Sequence, residues 1–201
     1  MDDRVTHGVT HDPAVALTAT VGVEPGAPAI GLARPVIETA RLVLRRFSAD
    51  DAPAVAAIFE DEAARVYYPD MHRLSNAERW VHRNLERYGV DGFGLWAVVW
   101  KATGEFAGDC GLMRQQVESD EEIEVGYHVH AAFRCRGIAT EAARACLEWG
   151  FTHLDCARIV SMVHPENHAS RTVAGRVHTA ARRFWRHGAH YYLFFTDAPG
   201  R

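Results

Sequence analysis

Apolar residues along this chain recur at two spacings, and the switches between them mark its elements. Residues 41–47, Arg-Leu-Val-Leu-Arg-Arg-Phe, form a compact apolar run that predicts a strand. Ser48 then offers an N-cap, with Asp50 and Asp51 in a first turn where negative charge suits the dipole. A helix is expected over residues 54–62, interrupted at Tyr67-Tyr68-Pro69-Asp70. Ser75-Asn76-Ala77-Glu78 has capping-box spacing and predicts a helix through Tyr88, closed by Gly89, Gly92 and Gly94. Strands follow over residues 95–101 and 105–116, joined by a tight turn at Ala102-Thr103-Gly104. Residues 118–122 read as an acidic turn, and the next strand carries Glu124 and the apolar run 125–129. These three strands are expected to form an antiparallel meander.

The period then changes. Ala139, Ala143, Cys146, Leu147, Gly150, Phe151 and Leu154 recur at three and four, which gives a helix with one buried face. Residues 158–163 read as a buried strand that stops before Pro165. A strand, a helix and a strand in that order make the last strand parallel to the first. A polar corner, Glu166 to Ser170, opens a further helix, and residues 182–196 read as a hairpin around His187-Gly188-Ala189-His190. The expected fold class is α/β: a mixed, mainly antiparallel twisted sheet with helices on both faces. Residues 1–35 lack sustained periodicity and hold the breaker cluster Pro25-Gly26-Ala27-Pro28, so they are expected to be a flexible leader before one domain over 36–201.

Between the strand and the helix lies Arg134-Cys135-Arg136-Gly137-Ile138-Ala139-Thr140. It places a glycine at a helix N-terminus, where backbone N–H groups lack intrahelical partners and the dipole adds positive charge. Arginines flank it. Such a loop suits a phosphate or pyrophosphate. It lacks the Lys-Ser/Thr of a P-loop and the three-glycine dinucleotide pattern, which weakens a nucleotide-binding reading.

Composition narrows the rest. With 201 residues and 48% hydrophobic composition the chain buries a sizeable core. No apolar run approaches the ~18–20 residues needed to cross a membrane, and Asp2 and Asp3 near the start argue against a secretory signal. A net charge of −4 and pI near 6.3 disfavour nucleic acid as a partner. Cys110, Cys135, Cys146 and Cys156 form no CxxC pair, which fits reduced thiols in the cytoplasm. The twelve histidines are scattered, with no second set of ligands at metal spacing, so no metal is expected.

The chain resembles the GNAT superfamily of acyl-CoA-dependent N-acetyltransferases, and most of all its ribosomal-protein N-terminal acetyltransferase branch. The resemblance rests on Glu38-Thr39-Ala40-Arg41-Leu42-Val43-Leu44-Arg45, on Glu124-Val125-Gly126-Tyr127, on Arg134 to Thr140 with Glu141-Ala142-Ala143, and on Pro165-Glu166-Asn167 with Ser170. It implies acetyl-CoA as co-substrate and an amine acceptor, in a monomer or homodimer. The pantetheine arm would fill a gap between Tyr127-His128-Val129-His130 and Val160-Ser161-Met162, with the Val129 N–H near the thioester carbonyl. Residues 134–140 would hold the pyrophosphate. Glu124 is the candidate general base for the amine, with the alternative that it is one of several acids on a solvated edge. Asn167 would bond the pantetheine amides or cap the helix it precedes. Relatives often use a tyrosine further along this helix to protonate the thiolate. None stands over residues 172–177, so Ser170 is the candidate replacement.

One departure stands out. Where relatives end this helix with a glycine and a bulky apolar residue, this chain has His178-Thr179. The acceptor side is expected between the first two helices and the hairpin, with Tyr67, Tyr68, Trp80, Trp185 and Tyr191 as candidates. Each of these is also a plausible core residue. A second class of function, a non-catalytic acyl-CoA-binding or sensing module, shares residues 134–139 and differs at Glu124 and Ser170.

Overall fold

The computed structural model describes residues 35–186 and 188–200, so the expected leader, Pro35 apart, lies outside the described residues. The strands are β1 (Pro35–Glu38), β2 (Leu42–Arg45), β3 (Leu95–Trp100), β4 (Phe106–Val117), β5 (Asp120–Val129), β6 (Arg158–Val163), β7 (Ala180–Arg186) and β8 (Ala189–Asp197). They form one sheet in the order β1-β2-β3-β4-β5-β6-β8-β7. Every neighbouring pair is antiparallel except β5 and β6, which the helix between them makes parallel.

Several boundaries differ from the sequence reading, each for a local reason. The helix expected over residues 54–62 is two helices, α1 (Ala52–Ile58) and α2 (Glu62–Arg65). Asp61 stands between them in an extended conformation and accepts the Ala64 N–H, which starts a new helical turn. The capping box at Ser75 does not form. α3 (Leu74–Val90) begins one residue earlier, and Ser75 to Glu78 lie inside its first turns, with Ala77 N–H already bonded to the Arg73 carbonyl. The acidic turn is shorter than expected. Only Glu118, at φ 55, and Ser119 turn the chain, because β4 and β5 keep pairing out to Val117 and Asp120.

Alternation along the strands assigns the helices to opposite faces. Asp109 accepts a bond from Trp80 Nε1 of α3, whereas its neighbour Cys110 meets Cys146 of α4 (Ile138–His153) with sulfurs 3.5 Å apart. α4 lies close on the sheet. A Cβ at Gly150 would come within 2.6 Å of the Ile159 Cδ1 and 2.9 Å of the Leu112 Cδ1, so a larger residue there would make these side-chain ends shift. Beneath α1 the Arg45 guanidinium forms bonds of 2.7 and 2.8 Å with Asp51, both side chains buried. Such a pair is costly to break from one side.

The two edges of β5 behave differently. Against β4 it is laddered from Val129↔Gly108 to Asp120↔Val117. Against β6 it pairs only at Ile123↔Ile159 and Glu124↔Val160, and then the strands part. At the fork, side chains replace the missing ladder. Ser161 Oγ donates to the Val125 carbonyl at 2.9 Å, and the Met162 N–H donates to Glu124 Oε1 at 3.1 Å. Buried backbone groups are thereby satisfied without the strands rejoining.

Candidate active site

The fork opens toward the start of α4. Gly137 is the N-cap of that helix at φ 78, and it has no side chain to satisfy the N–H groups of the first turn. A Cβ there would meet only an Arg41 nitrogen at 3.5 Å. The first-turn N–H groups therefore face open space, and a cavity of ≈300 Å³ lies in front of them. Its walls include Val129, Cys135, Gly137, Ala139, Thr140 and Val173. The arrangement fits the diphosphate and pantetheine of a CoA ester: dipolar donors at one end, an apolar slot at the other.

β5 supplies the opposite end of the slot. The His130 N–H bonds the Ala107 carbonyl at 2.9 Å, so His130 sits in a hydrogen-bonded pair with β4. Pairs alternate along an antiparallel ladder, so Val129, opposite Gly108, turns its N–H and C=O away from β4 and into the fork. Arg134 Nε donates to that carbonyl at 3.0 Å.

This contact revises the reading of Arg134. The residue borders the cavity, but its guanidinium is already engaged. It turns inward, is almost wholly buried, and pairs with Asp61 at 2.7 Å. Partial burial raises the Asp61 carboxyl, but the hydrogen bond and charge of Arg134 outweigh it and hold the group below the ordinary value. Of the two flanking arginines, only Arg136 stays exposed, with its guanidinium over the Phe133 ring at 5.5 Å.

Side chains of β5 divide between the faces. Glu124 and His128 lie on the α3 face, and Tyr127 on the other. The Tyr127 hydroxyl donates to the Ser170 carbonyl at 3.1 Å and lies 3.3 Å from Ser170 Oγ. Burial raises this phenol above its ordinary range, so it stays protonated at neutral pH. Ser170 is itself fully buried. Its hydroxyl faces Tyr127, and the cavity is bordered instead by Ala169, Thr172 and Val173 of α5 (His168–Val177). Asn167 takes the capping role: its Oδ1 accepts the Ser170 N–H at 3.0 Å.

His128 is fully buried between Asp109, 2.6 Å from Nδ1, and the Tyr68 hydroxyl, 2.9 Å from Nε2. Phe59 and Trp80 enclose the ring. His128, Tyr68 and Trp80 are thus core residues by side chain. His130 is half-buried and its Nδ1 accepts the Ala132 N–H. Trp185 stands 60% exposed near the hairpin turn, its ring edge-on to His190. Tyr67 and Tyr191 do converge, through a residue the sequence reading passed over. The His164 ring lies 5.8 Å from Tyr67 and 5.3 Å from Tyr191. His164 Nδ1 accepts the Glu166 N–H, which leaves Nε2 as the proton-bearing pole. Two-residue spacing from Met162 places His164 on the face that Glu124 shares, a signal available in the sequence.

The departure at His178 closes the other side of the fork. His178 ends α5 in an extended conformation. Its Nε2 lies 3.0 Å from Ser161 Oγ and its Nδ1 3.3 Å from Thr196 Oγ1. Since Ser161 donates its proton to Val125, His178 must donate through Nε2. Burial lowers this imidazole from 6.5 to about 4, so it is neutral. The ring braces the serine that holds the fork open.

Comparison with known proteins agrees with this architecture. The family model described as "Acetyltransferase (GNAT) domain" matches residues 41–179. The chain is similar to YkkB of Bacillus subtilis (strain 168), an uncharacterized protein, at 35% identity over 131 residues, covering 64% of this chain and 74% of that one. It is similar at 27% identity over 138 residues to YoaA of the same organism, described as an uncharacterized N-acetyltransferase, covering 68% and 77%. Among solved structures, Mycobacterium smegmatis RimJ in complex with CoA-disulfide superposes with a TM-score of 0.60 at 20% identity, over 78% of this chain and 82% of that one. That last likeness carries the fold alone. The family model spans most of the chain, and this protein belongs to the GNAT acetyltransferases.

Proposed function

We propose that this acetyltransferase uses acetyl-CoA and transfers acetyl to a primary amine, either a protein or peptide N-terminus or a small-molecule amine, by direct attack on the thioester. The observation that carries the reading is the fork. The β5–β6 pairing ends beside Glu124, and the cavity before the first-turn N–H groups of α4 is bordered by Val129, further along the same unpaired edge of β5. Acetyl-CoA, when bound, supplies the activated acyl group. Residues 137–140 hold the diphosphate through backbone N–H groups. The Val129 N–H polarises the thioester carbonyl. Glu124, buried at the base of the fork, takes the proton of the acceptor ammonium. Tyr67, His164 and Tyr191 wall the acceptor side, where aromatic faces suit a cation. Tyr127 and Ser170 anchor α5 to the sheet. Free thiols at all four cysteines fit a cytoplasmic enzyme.

Two measurements test the reading: calorimetry with CoA, and release of free thiol from acetyl-CoA with a panel of peptide N-termini, polyamines and aminoglycosides. Binding without thiol release on any amine would favour the acyl-CoA-sensing alternative. No binding would overturn both readings.

A further inference from the structure

We propose that Arg41 is a positioning residue for the cofactor loop, and that the first-strand segment Glu38-Thr39-Ala40-Arg41 belongs to the CoA-binding apparatus although it lies far from the loop in sequence. The proposal rests on the reading of residues 137–140 as the acetyl-CoA loop.

Glu141 stands in the first turn of α4, beside the N–H groups that must face an anion. An unrestrained carboxylate there would compete for those donors. The turn between β1 and β2 removes it. Thr39 Oγ1 donates to Glu141 Oε1 at 2.6 Å, the Arg41 N–H donates to the same oxygen at 3.1 Å, and Arg41 Nε donates to Oε2 at 2.6 Å. Partial burial raises the Glu141 carboxyl, but these bonds outweigh it and hold the group below the ordinary value. The carboxylate is thus occupied by three hydrogen bonds from the strand turn.

The same guanidinium reaches the loop itself. Arg41 Nη1 donates to the Arg136 carbonyl at 3.0 Å. That carbonyl lies between Cys135 at φ 60 and Gly137 at φ 78. In a loop that turns successive N–H groups toward an anion, the carbonyls must point outward. Arg41 holds one of them there. The guanidinium is restrained in turn by stacking over Trp100, 5.4 Å from its centroid. The β1–β2 turn is pinned by Lys101, which donates to the Thr39 carbonyl at 2.6 Å and pairs with Glu38 at 3.0 Å. An exposed ion pair by itself contributes little. Here the planar fork joins a carboxylate to a backbone carbonyl, which lysine cannot do with the same geometry. A second cavity, of ≈530 Å³ and bordered by Thr39, Arg41, Thr140 and Glu141, shares Gly137 and Thr140 with the first.

The test compares wild type with Arg41→Gln, Arg41→Lys, Thr39→Val and the Thr39→Val/Arg41→Gln double variant. CoA affinity is read by calorimetry, KM for acetyl-CoA and kcat by thiol release, and the melting temperature without ligand by scanning calorimetry. Arg41→Gln should raise both Kd and KM about tenfold, the loss expected for one charge-assisted hydrogen bond, with a smaller effect on kcat. Arg41→Lys should fall between wild type and Arg41→Gln. The double variant should match Arg41→Gln, since Thr39 acts through the same carboxylate. An Arg41→Gln protein that binds CoA with wild-type Kd overturns the proposal, including one that merely melts earlier. A wild-type protein that binds no CoA overturns the cofactor reading itself, and the two failures are told apart by that control.

Discussion

Glu124 and His128 lie on the same face of the same strand, both buried, yet their surroundings differ in kind. His128 is held by Asp109 and Tyr68 and enclosed by Phe59 and Trp80. Both residues are laddered to β4. Glu124 bonds a backbone N–H of β6 at the point where the sheet comes apart. The first arrangement completes a core. The second substitutes for backbone pairing and opens a slot. A buried polar side chain is therefore a poor functional signal by itself, because such groups are satisfied in either case. What separates the two is the backbone next to them.

Breaking the slot at its anion end should have the largest effect. Gly137→Glu places a side chain and a negative charge among the first-turn N–H groups and strains a φ of 78. CoA binding by calorimetry should fall below detection. Retained binding would show that the loop is not the anion site.

At the other end, Glu124→Gln should lower turnover by ~10²–10⁴-fold, as loss of a general base does. Acetyl-CoA affinity should stay close to wild type. The deficit should shrink at high pH, where neutral amine is abundant. Full turnover at pH 7 would mean that Glu124 only ties β6 to β5, and His164 would then be the base to test.

The core site should respond in stability instead. Asp109→Ala leaves His128 and the Trp80 N–H without their shared carboxylate and should cost about 3–5 kcal/mol in urea unfolding. The same variant, if folded at low temperature, should keep the pH–rate profile of the wild type. A changed profile would place Asp109 and His128 in the proton path and erase the contrast with Glu124.

The smallest effect is a pH dependence at His178. Its pKa is lowered from 6.5 in the unfolded chain to about 4 in the folded one. Between those values the unfolded state binds more protons, so stability rises with pH across the window. The contribution is fully present above 6.5 and is lost as pH falls toward about 4. It amounts to no more than ~1.4 kcal/mol per pH unit. His178→Gln should flatten that slope between pH 5 and pH 7. An unchanged slope would assign the acid sensitivity to another group.

Much of this was legible in the chain. The helix over Ile138–His153 announces itself through a three-and-four spacing behind a glycine, and both signals are local. The strands beside it, and the parallel sense of β5 and β6, follow from element order. Boundaries slipped where one side chain decided them. Asp61 split a helix by capping a new turn, and persistent β4–β5 pairing shortened the acidic turn.

Side-chain destinations were a different matter. Arg134 reads as a phosphate ligand because it adjoins the loop, yet its guanidinium meets Asp61, far away in the chain. Ser170 reads as the group that protonates the departing thiolate, yet Tyr127 of the sheet packs over its hydroxyl. Arg41 and Glu141 belong to separate segments and become one device only when β1 and β2 lie beside α4. Periodicity, capping and glycine conformation depend on neighbours within a turn or two, so sequence alone determined most elements, their order and the place of the glycine loop before α4. Which polar groups face the slot and which are used up in the core depends on contacts between distant segments. Only the folded sheet, with its fork between β5 and β6, decided that.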